Sequence, residues 1–221
     1  MCATLSARSV DRCDFSQSIL AWFAINGRAF PWRKTSEPYY IYVAAILLPR
    51  TQAERVVSPY LELISNYPTF EALSKAEVVN VRYRFKPLGI IKRADLMIAG
   101  AKIVVSEYGG MLPRSVDLIM RLPGMGKYSS RAVACLAFGA RVPMIDESSG
   151  RLLRRVLGLG SSGPAYCDHK LFEVAEGMIP EKHPREYNLG LLDIAAANCH
   201  SSHPACLECP LSKFCSYQGS Q

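Results

Sequence analysis

Leu122-Pro-Gly-Met-Gly-Lys-Tyr128 decides how the chain reads. An apolar helical run, Ser115-Val-Asp-Leu-Ile-Met-Arg121, lies ahead of it, and Ser129-Ser-Arg-Ala-Val-Ala-Cys-Leu-Ala-Phe138 lies behind. Pro123 discourages a helical conformation at Leu122, so the first helix is expected to stop there. Gly124 and Gly126 let the backbone turn tightly and approach another surface closely. The second helix then opens with backbone N–H groups that no earlier turn accepts, a ready site for a phosphate oxygen. On this stretch alone two readings stand: a helix-hairpin-helix that holds a nucleic-acid backbone, and a plain turn between helices with a glycine cap.

Two further features bear on the choice. Past the second helix, Arg141-Val-Pro-Met-Ile-Asp-Glu-Ser-Ser-Gly-Arg151 carries an isolated Ile145-Asp146 pair. Read locally, Asp146 is an N-cap for a helix beginning near Ser149, worth about 1 kcal/mol. The chain then closes with Cys199, Cys206, Cys209 and Cys215, spaced C-x6-C-x2-C-x5-C. Zinc ribbons usually show two C-x2-C pairs, so the single pair is less typical of zinc. Four thiolates also hold a [4Fe–4S] cube. Spacing alone leaves both metals open. His200 and His203 flank the cysteines and read as surface residues. Cys2, Cys13, Cys135 and Cys167 are scattered.

The chain of 221 residues suffices for one large domain or two intimate lobes. An apolar fraction of 49% is ordinary for a globular core. The net charge of +7 and pI near 9.0 favour an anionic partner. The longest apolar run, Ile41 to Leu48, is too short to span a bilayer, so no membrane partner is expected. Met1 to Arg12 has mixed polarity and no apolar signal core. These readings place the protein inside the cell, in cytoplasm or nucleoid. A crowded cysteine set there is metal-bound rather than oxidised.

In chain order, residues 14–25 form an amphipathic helix, with Phe15, Ile19, Trp22 and Phe23 on one stripe, Asp14 as cap and Gly27 at its end. Phe30-Pro-Trp-Arg33 packs over helix ends. An apolar helix from Tyr39 to about Leu48 breaks at Pro49, which exposes Arg50-Thr51-Gln52 before a helix over Ala53 to Ser65. Two short helices follow, over Thr69 to Leu73 and Ser74 to Val81, the second opened by a capping box at Ser74-Lys-Ala-Glu77. A helix opening at Leu88 to Arg93 runs to about Tyr108 and ends at Gly109-Gly110. Lys92 and Arg93 are expected to face water or phosphate. Beyond Arg141, Arg151 to Leu157 is a helix, Asp168 caps another, and Tyr187 to Asn198 is a third in which Gly190 marks close helix approach. No strand alternation is evident, and the expected fold is all-α with two lobes.

Phe30-Pro-Trp-Arg33, Leu122-Pro-Gly-Met-Gly126, Ile145-Asp146, Asn188-Leu-Gly-Leu-Leu-Asp193 and the cysteine set, in that order, resemble the helix-hairpin-helix DNA glycosylase superfamily. That superfamily holds endonuclease III and the adenine mismatch glycosylase. The resemblance runs from about Phe30 to Cys215. It implies a six-helix barrel lobe carrying the hairpin over residues 30–138. Residues 1–29 and 139–221 then form a second helical lobe with the [4Fe–4S] cluster on Cys199, Cys206, Cys209 and Cys215, zinc being the alternative. The cleft between the lobes is expected to hold the chemistry, and the protein to act as a monomer. The cluster's expected role is structural: it ties down a short terminal loop short of apolar residues, with Lys213 presenting charge to DNA.

The resemblance also assigns roles. Asp146 matches the catalytic aspartate. Breaking the C1′–N bond places positive charge on the sugar, and a carboxylate at about 4 Å and an effective dielectric near 20 stabilises it by roughly 4 kcal/mol. That is about three orders of magnitude in rate. Tyr128 stands where bifunctional members carry a lysine, and a phenol forms no Schiff base, which implies a monofunctional enzyme that leaves an abasic site. Lys127 is turned about 100° away along the helix. Arg50, Thr51 and Gln52 match the loop that enters the duplex at the vacated base. Leu122, Gly124, Gly126 and Lys127 match the hairpin that contacts DNA. Ala45 stands where adenine-removing members have a glutamate, and it has no proton to give a purine. A thymine or uracil opposite guanine is therefore the expected target, extruded from a double-stranded DNA mismatch where flipping costs least. Tyr128 also resembles the thermophile-type mismatch thymine glycosylase, which usually keeps that glutamate. The alternatives are an adenine glycosylase acting opposite guanine or oxidised guanine, and a non-catalytic iron–sulfur DNA-binding protein.

Overall fold

A computed structural model describes residues 11–160 and 163–217. The readings at Met1 to Val10, Cys2 among them, lie outside the described residues. Every regular element among the described residues is helical. By packing, the chain divides into two units, Ala29–Ala140 and Met1–Arg28 with Arg141–Gln221.

The Ala29–Ala140 unit is built on α2 (Pro38–Leu47), whose residues Ile41 to Leu47 are all buried. A helix apolar all round has to be surrounded, and α2 packs against α3 (Ala53–Asn66), α6 (Lys92–Tyr108) and α8 (Lys127–Phe138). The buried Tyr42 hydroxyl donates to Met97 O at 2.8 Å, which removes the cost of an orphaned polar group. Between α3 and α6 lie α4 (Phe70–Ser74) and α5 (Val78–Phe85), and α7 (Val116–Met120) precedes α8. Trp32 is buried, stacked on Phe30 with ring centroids 5.0 Å apart and set edge-on to Tyr60.

The other unit packs α1 (Arg12–Asn26) along α11 (Pro184–Ala197), with α9 (Glu147–Leu157) and α10 (His169–Met178) beside them. Gly190 permits the close approach of α1 to α11: a Cβ there would lie 2.7 Å from Ile19 Cγ2 and 3.1 Å from Phe23 Cβ. Asp193 of α11 is buried, and its carboxylate accepts from Arg28 Nε at 2.7 Å and Arg28 N at 2.9 Å.

Several local expectations are corrected. The cap of α1 is Asp11, whose carboxylate accepts from the Cys13 and Asp14 amides; Asp14 sits in the first turn. The box at Ser74 to Glu77 does not form. Thr69 caps α4 instead, and α5 starts at Val78 after Glu77 without a side-chain cap. Ser74 belongs to the last turn of α4, which Phe70 and Leu73 anchor, both buried. Arg93 is only partly exposed: its Nη1 donates to Ile46 O at 3.1 Å, satisfying a carbonyl at the end of α2. Its burial, and then the nearby charge of Arg50, lower its pKa. The terminal loop has apolar anchors of its own, since Leu211 is fully buried and Phe214 sets its ring edge-on to Phe15 at 5.4 Å.

Candidate active site

Asp146 is the N-cap of α9, held from both sides in sequence. Upstream, Met144 and Ile145 are buried. The Asn188 side chain of α11 fixes this segment: Oδ1 accepts from Met144 N at 2.8 Å, and Nδ2 donates to Val142 O at 3.1 Å and Pro184 O at 2.8 Å. Downstream, a capping box closes. Asp146 Oδ1 accepts from Ser149 N at 2.7 Å and from Ser149 Oγ at 2.9 Å, and Ser149 Oγ accepts from Asp146 N at 3.0 Å. Asp146 Oδ2 has no hydrogen-bond partner among the described residues. The carboxylate is thus oriented through one oxygen and presents the other. Its position at the start of an eleven-residue helix favours negative charge. The cap uses Oδ1 and leaves Oδ2 for another partner.

The hairpin lies in the other unit. Gly124 has φ +84°, a left-handed conformation that disfavours any side chain, and a Cβ there would press on Leu96 Cβ at 3.3 Å. Gly126 is different. It is extended, it is exposed, and a Cβ built on it meets nothing within 4 Å. Nothing inside the chain demands glycine at 126. Leu122 and Met125 are buried and anchor the turn, so Leu122 can offer only backbone to a partner. Lys127 is exposed at the first position of α8, and Tyr128, half-buried, is the second. Ser129 Oγ donates to Ala45 O at 2.9 Å, which sets the start of α8 directly on α2 at Ala45.

The Pro49 break forms the expected exposed corner. Arg50 is exposed with φ +59°, Thr51 N donates back to Leu48 O at 3.0 Å, and Gln52 precedes α3 with its side chain exposed. Lys213 is also exposed but has a partner, Asp14 Oδ2 at 3.2 Å.

Cys199, Cys206, Cys209 and Cys215 line one cavity of about 60 Å³ together with Leu152, Val156 and Asn198. That exceeds the roughly 10–15 Å³ one water-sized body needs on the same measure. Among the described residues no three His, Cys, Asp or Glu side chains are grouped to hold a single metal ion. Burial, and then the neighbouring thiolates, push the Cys209 and Cys215 thiols upward, a tension that bound cations relieve. Asn198 Oδ1 is buried on this cavity without a partner among the described residues.

Asn188, Ser149 and Arg93 escaped the sequence reading as functional supports. A buried Asn or Ser announces itself only once burial is known.

No family profile matches the chain. A thymine/uracil-DNA glycosylase of Methanothermobacter thermautotrophicus is 37% identical over 204 residues, covering 92% of each chain. The solved structure of a thermostable thymine-DNA glycosylase superposes with a TM-score of 0.87 at 38% identity, over 93% of this chain and 95% of that one. The human adenine DNA glycosylase is 28% identical over 91% of this chain but only 39% of its own length. With its hairpin, its capped aspartate and a relative alike over nearly its full length, the chain belongs to the helix-hairpin-helix DNA glycosylase superfamily, in the group that includes the thymine/uracil-DNA glycosylases.

Proposed function

We propose that this DNA glycosylase hydrolyses the N-glycosidic bond of thymine or uracil mispaired with guanine in double-stranded DNA, and does so without cutting the strand. The observation that carries the reading is the Asp146 carboxylate, locked through Oδ1 and, among the described residues, unpartnered at Oδ2. As the C1′–N1 bond breaks, its electron pair leaves with the base and the sugar becomes cationic. Oδ2 stabilises that cation, water supplies the oxygen that bonds to C1′, and the water's proton goes to the base or to solvent. A pyrimidine N1 anion leaves with hydrogen bonds alone. Such a leaving group needs no acid at position 45, where the chain carries alanine.

The chain's relatives support the pyrimidine reading over the adenine one. The thymine/uracil enzyme matches over 92% of its length, whereas the human adenine enzyme extends well beyond the matched part. Monofunctionality rests on Tyr128, the second residue of α8, because a phenol forms no Schiff base. The exposed, sterically unrestricted Gly126 and the N–H groups opening α8 suit a phosphate, and Arg50, Thr51 and Gln52 suit the gap left by the base. Cys199, Cys206, Cys209 and Cys215 are the residues that would hold a [4Fe–4S] cluster. When bound it supplies a cross-link for the terminal loop, adding to the anchors Leu211 and Phe214.

The deciding experiment is a panel of duplexes carrying T:G, U:G, A:G and A:oxidised-G pairs, assayed with and without alkali. Alkali-dependent cleavage at T:G and U:G is expected. Release of adenine alone overturns the assignment. Borohydride is expected to trap no covalent adduct, and a trapped adduct would refute monofunctionality.

A further inference from the structure

We infer that Arg155 is a positioning residue for the metal centre and, acting through Cys199, raises the centre's reduction potential. The inference rests on the cluster reading above. Arg155 lies on α9, one turn after Arg151, and both reach the same cysteine. Arg151 Nε donates to Cys199 O at 2.9 Å. Arg155 Nη1 lies 3.3 Å from Cys199 Sγ, within hydrogen-bond reach of a sulfur acceptor.

The Arg155 guanidinium is not a mobile surface charge. Its Nη1 also donates to His200 O at 2.7 Å, and its Nη2 donates to Ser201 O at 3.2 Å. The Tyr217 ring lies 4.4 Å from its Cζ. Three carbonyl or sulfur acceptors and an aromatic face fix its plane against a cysteine that is itself 8% exposed.

A fixed cation at one ligand sulfur has a definite electrostatic consequence. Four thiolates give a [4Fe–4S] centre net negative charge, and each added electron increases it. A positive donor at Cys199 Sγ therefore favours the more reduced member of any couple. Burial of Cys199 strengthens the effect, because water screens it less. Of the four sulfurs, Cys199 Sγ should carry the strongest hydrogen bond and so the weakest iron–sulfur bond.

The test compares wild-type holoprotein with Arg155→Gln, Arg155→Lys and Arg155→Met. Iron and sulfide are assayed first, and folding is checked by circular dichroism. Protein-film voltammetry on DNA-free protein then gives the midpoint potential, and resonance Raman gives the iron–thiolate stretches. Gln and Met should move the potential to more negative values, with Lys between them and wild type. One iron–thiolate stretch should shift to higher frequency in Met. Retention of iron against a chelator should fall by about 10-fold or more in Met, the usual scale for losing an outer-shell partner. A loaded Met variant with unchanged potential and unchanged stretches overturns the inference while the cluster reading stands. Wild-type protein without iron and sulfide overturns both.

Discussion

Asp146 and Ser149 satisfy each other's backbone: the carboxylate accepts from the Ser149 amide at 2.7 Å, and the serine hydroxyl accepts from the Asp146 amide at 3.0 Å. This reciprocity separates folding from catalysis at one residue. Asparagine caps a helix about as well as aspartate, so Asp146→Asn should change stability by less than about 1 kcal/mol. The same change removes the charge beside the sugar, and base release from a T:G duplex should fall by about three orders of magnitude. Single-turnover kinetics alongside thermal melting and a binding isotherm check this. Unchanged release would remove Asp146 from the mechanism.

Asn188 should behave in the opposite way, as a structural support with a catalytic consequence. It holds Met144 N, Val142 O and Pro184 O with one buried amide. Asn188→Leu keeps the volume but leaves buried backbone groups unpaired, at about 1–3 kcal/mol for each unsatisfied group. The expected loss is at least about 2 kcal/mol by chemical denaturation. Release by the protein that remains folded should also fall, because the segment leading to Asp146 loses its anchor. Asn188→Ala, which leaves room for water, should cost less than Leu.

The helices and their order were legible because the apolar periodicity and the Pro and Gly breaks agree along most of the chain. Pro49 ends α2, Gly109 ends α6 at φ +60°, and Asp168 caps α10 as read. The capping box at Ser74 to Glu77 misled because its pattern is local: Ser74 and Lys75 end α4, and α5 starts only at Val78. Pro59 lies inside α3, a place sequence rules disfavour, and it is buried against the core there. Around the candidate site, the cysteines stood out by residue type and spacing, and Asp146 through the family resemblance. The clamp by Asn188 and the turn of Arg93 onto α2 depend on contacts distant in sequence, and no periodicity encodes them.

Gly190 is required by packing. Its built Cβ falls 2.7 Å from Ile19 Cγ2, 3.1 Å from Phe23 Cβ and 3.3 Å from Ile19 O, and the last is backbone that cannot rotate away. Gly190→Ala should force α1 from α11 and cost about 1–3 kcal/mol despite alanine's better helix propensity. Gly126→Ala, open on all sides, should leave the melting temperature nearly unchanged while weakening DNA binding if a phosphate approaches there. The two variants measured together separate a packing glycine from a binding one.

Alkaline pH should expose the buried phenols. Burial pushes Tyr60 up to about 12, and Tyr39, Tyr42 and Tyr187 are likewise raised. In the unfolded chain a tyrosine ionises near pH 10. Below that value both states hold the proton and stability is undiminished. Above it the unfolded state sheds protons that the folded state keeps, so stability falls as pH rises from about 10 through 12. Denaturation midpoints taken from pH 8 to 11 should be flat and then drop. Phenolate absorbance should appear together with unfolding. Tyr187→Phe, which loses no described hydrogen bond to its hydroxyl, should shift the drop upward.

Arg50 sets stability against binding. Its φ of +59° puts a branched-free but bulky residue in the left-handed region, at about 1–2 kcal/mol. The corner is exposed, and no packing need at that residue accounts for the strain. Arg50→Gly relieves it and should raise stability by about 1 kcal/mol, or roughly 2–4 °C in melting temperature for a chain of this size. If the guanidinium fills the space of the extruded base, the same variant should bind a T:G duplex more weakly and release thymine more slowly. Arg50→Ala keeps the strain and loses the side chain, so it should share the catalytic loss without the gain in stability. A glycine variant that melts higher and excises at the wild-type rate would mean that this corner bends the chain but does not probe the helix.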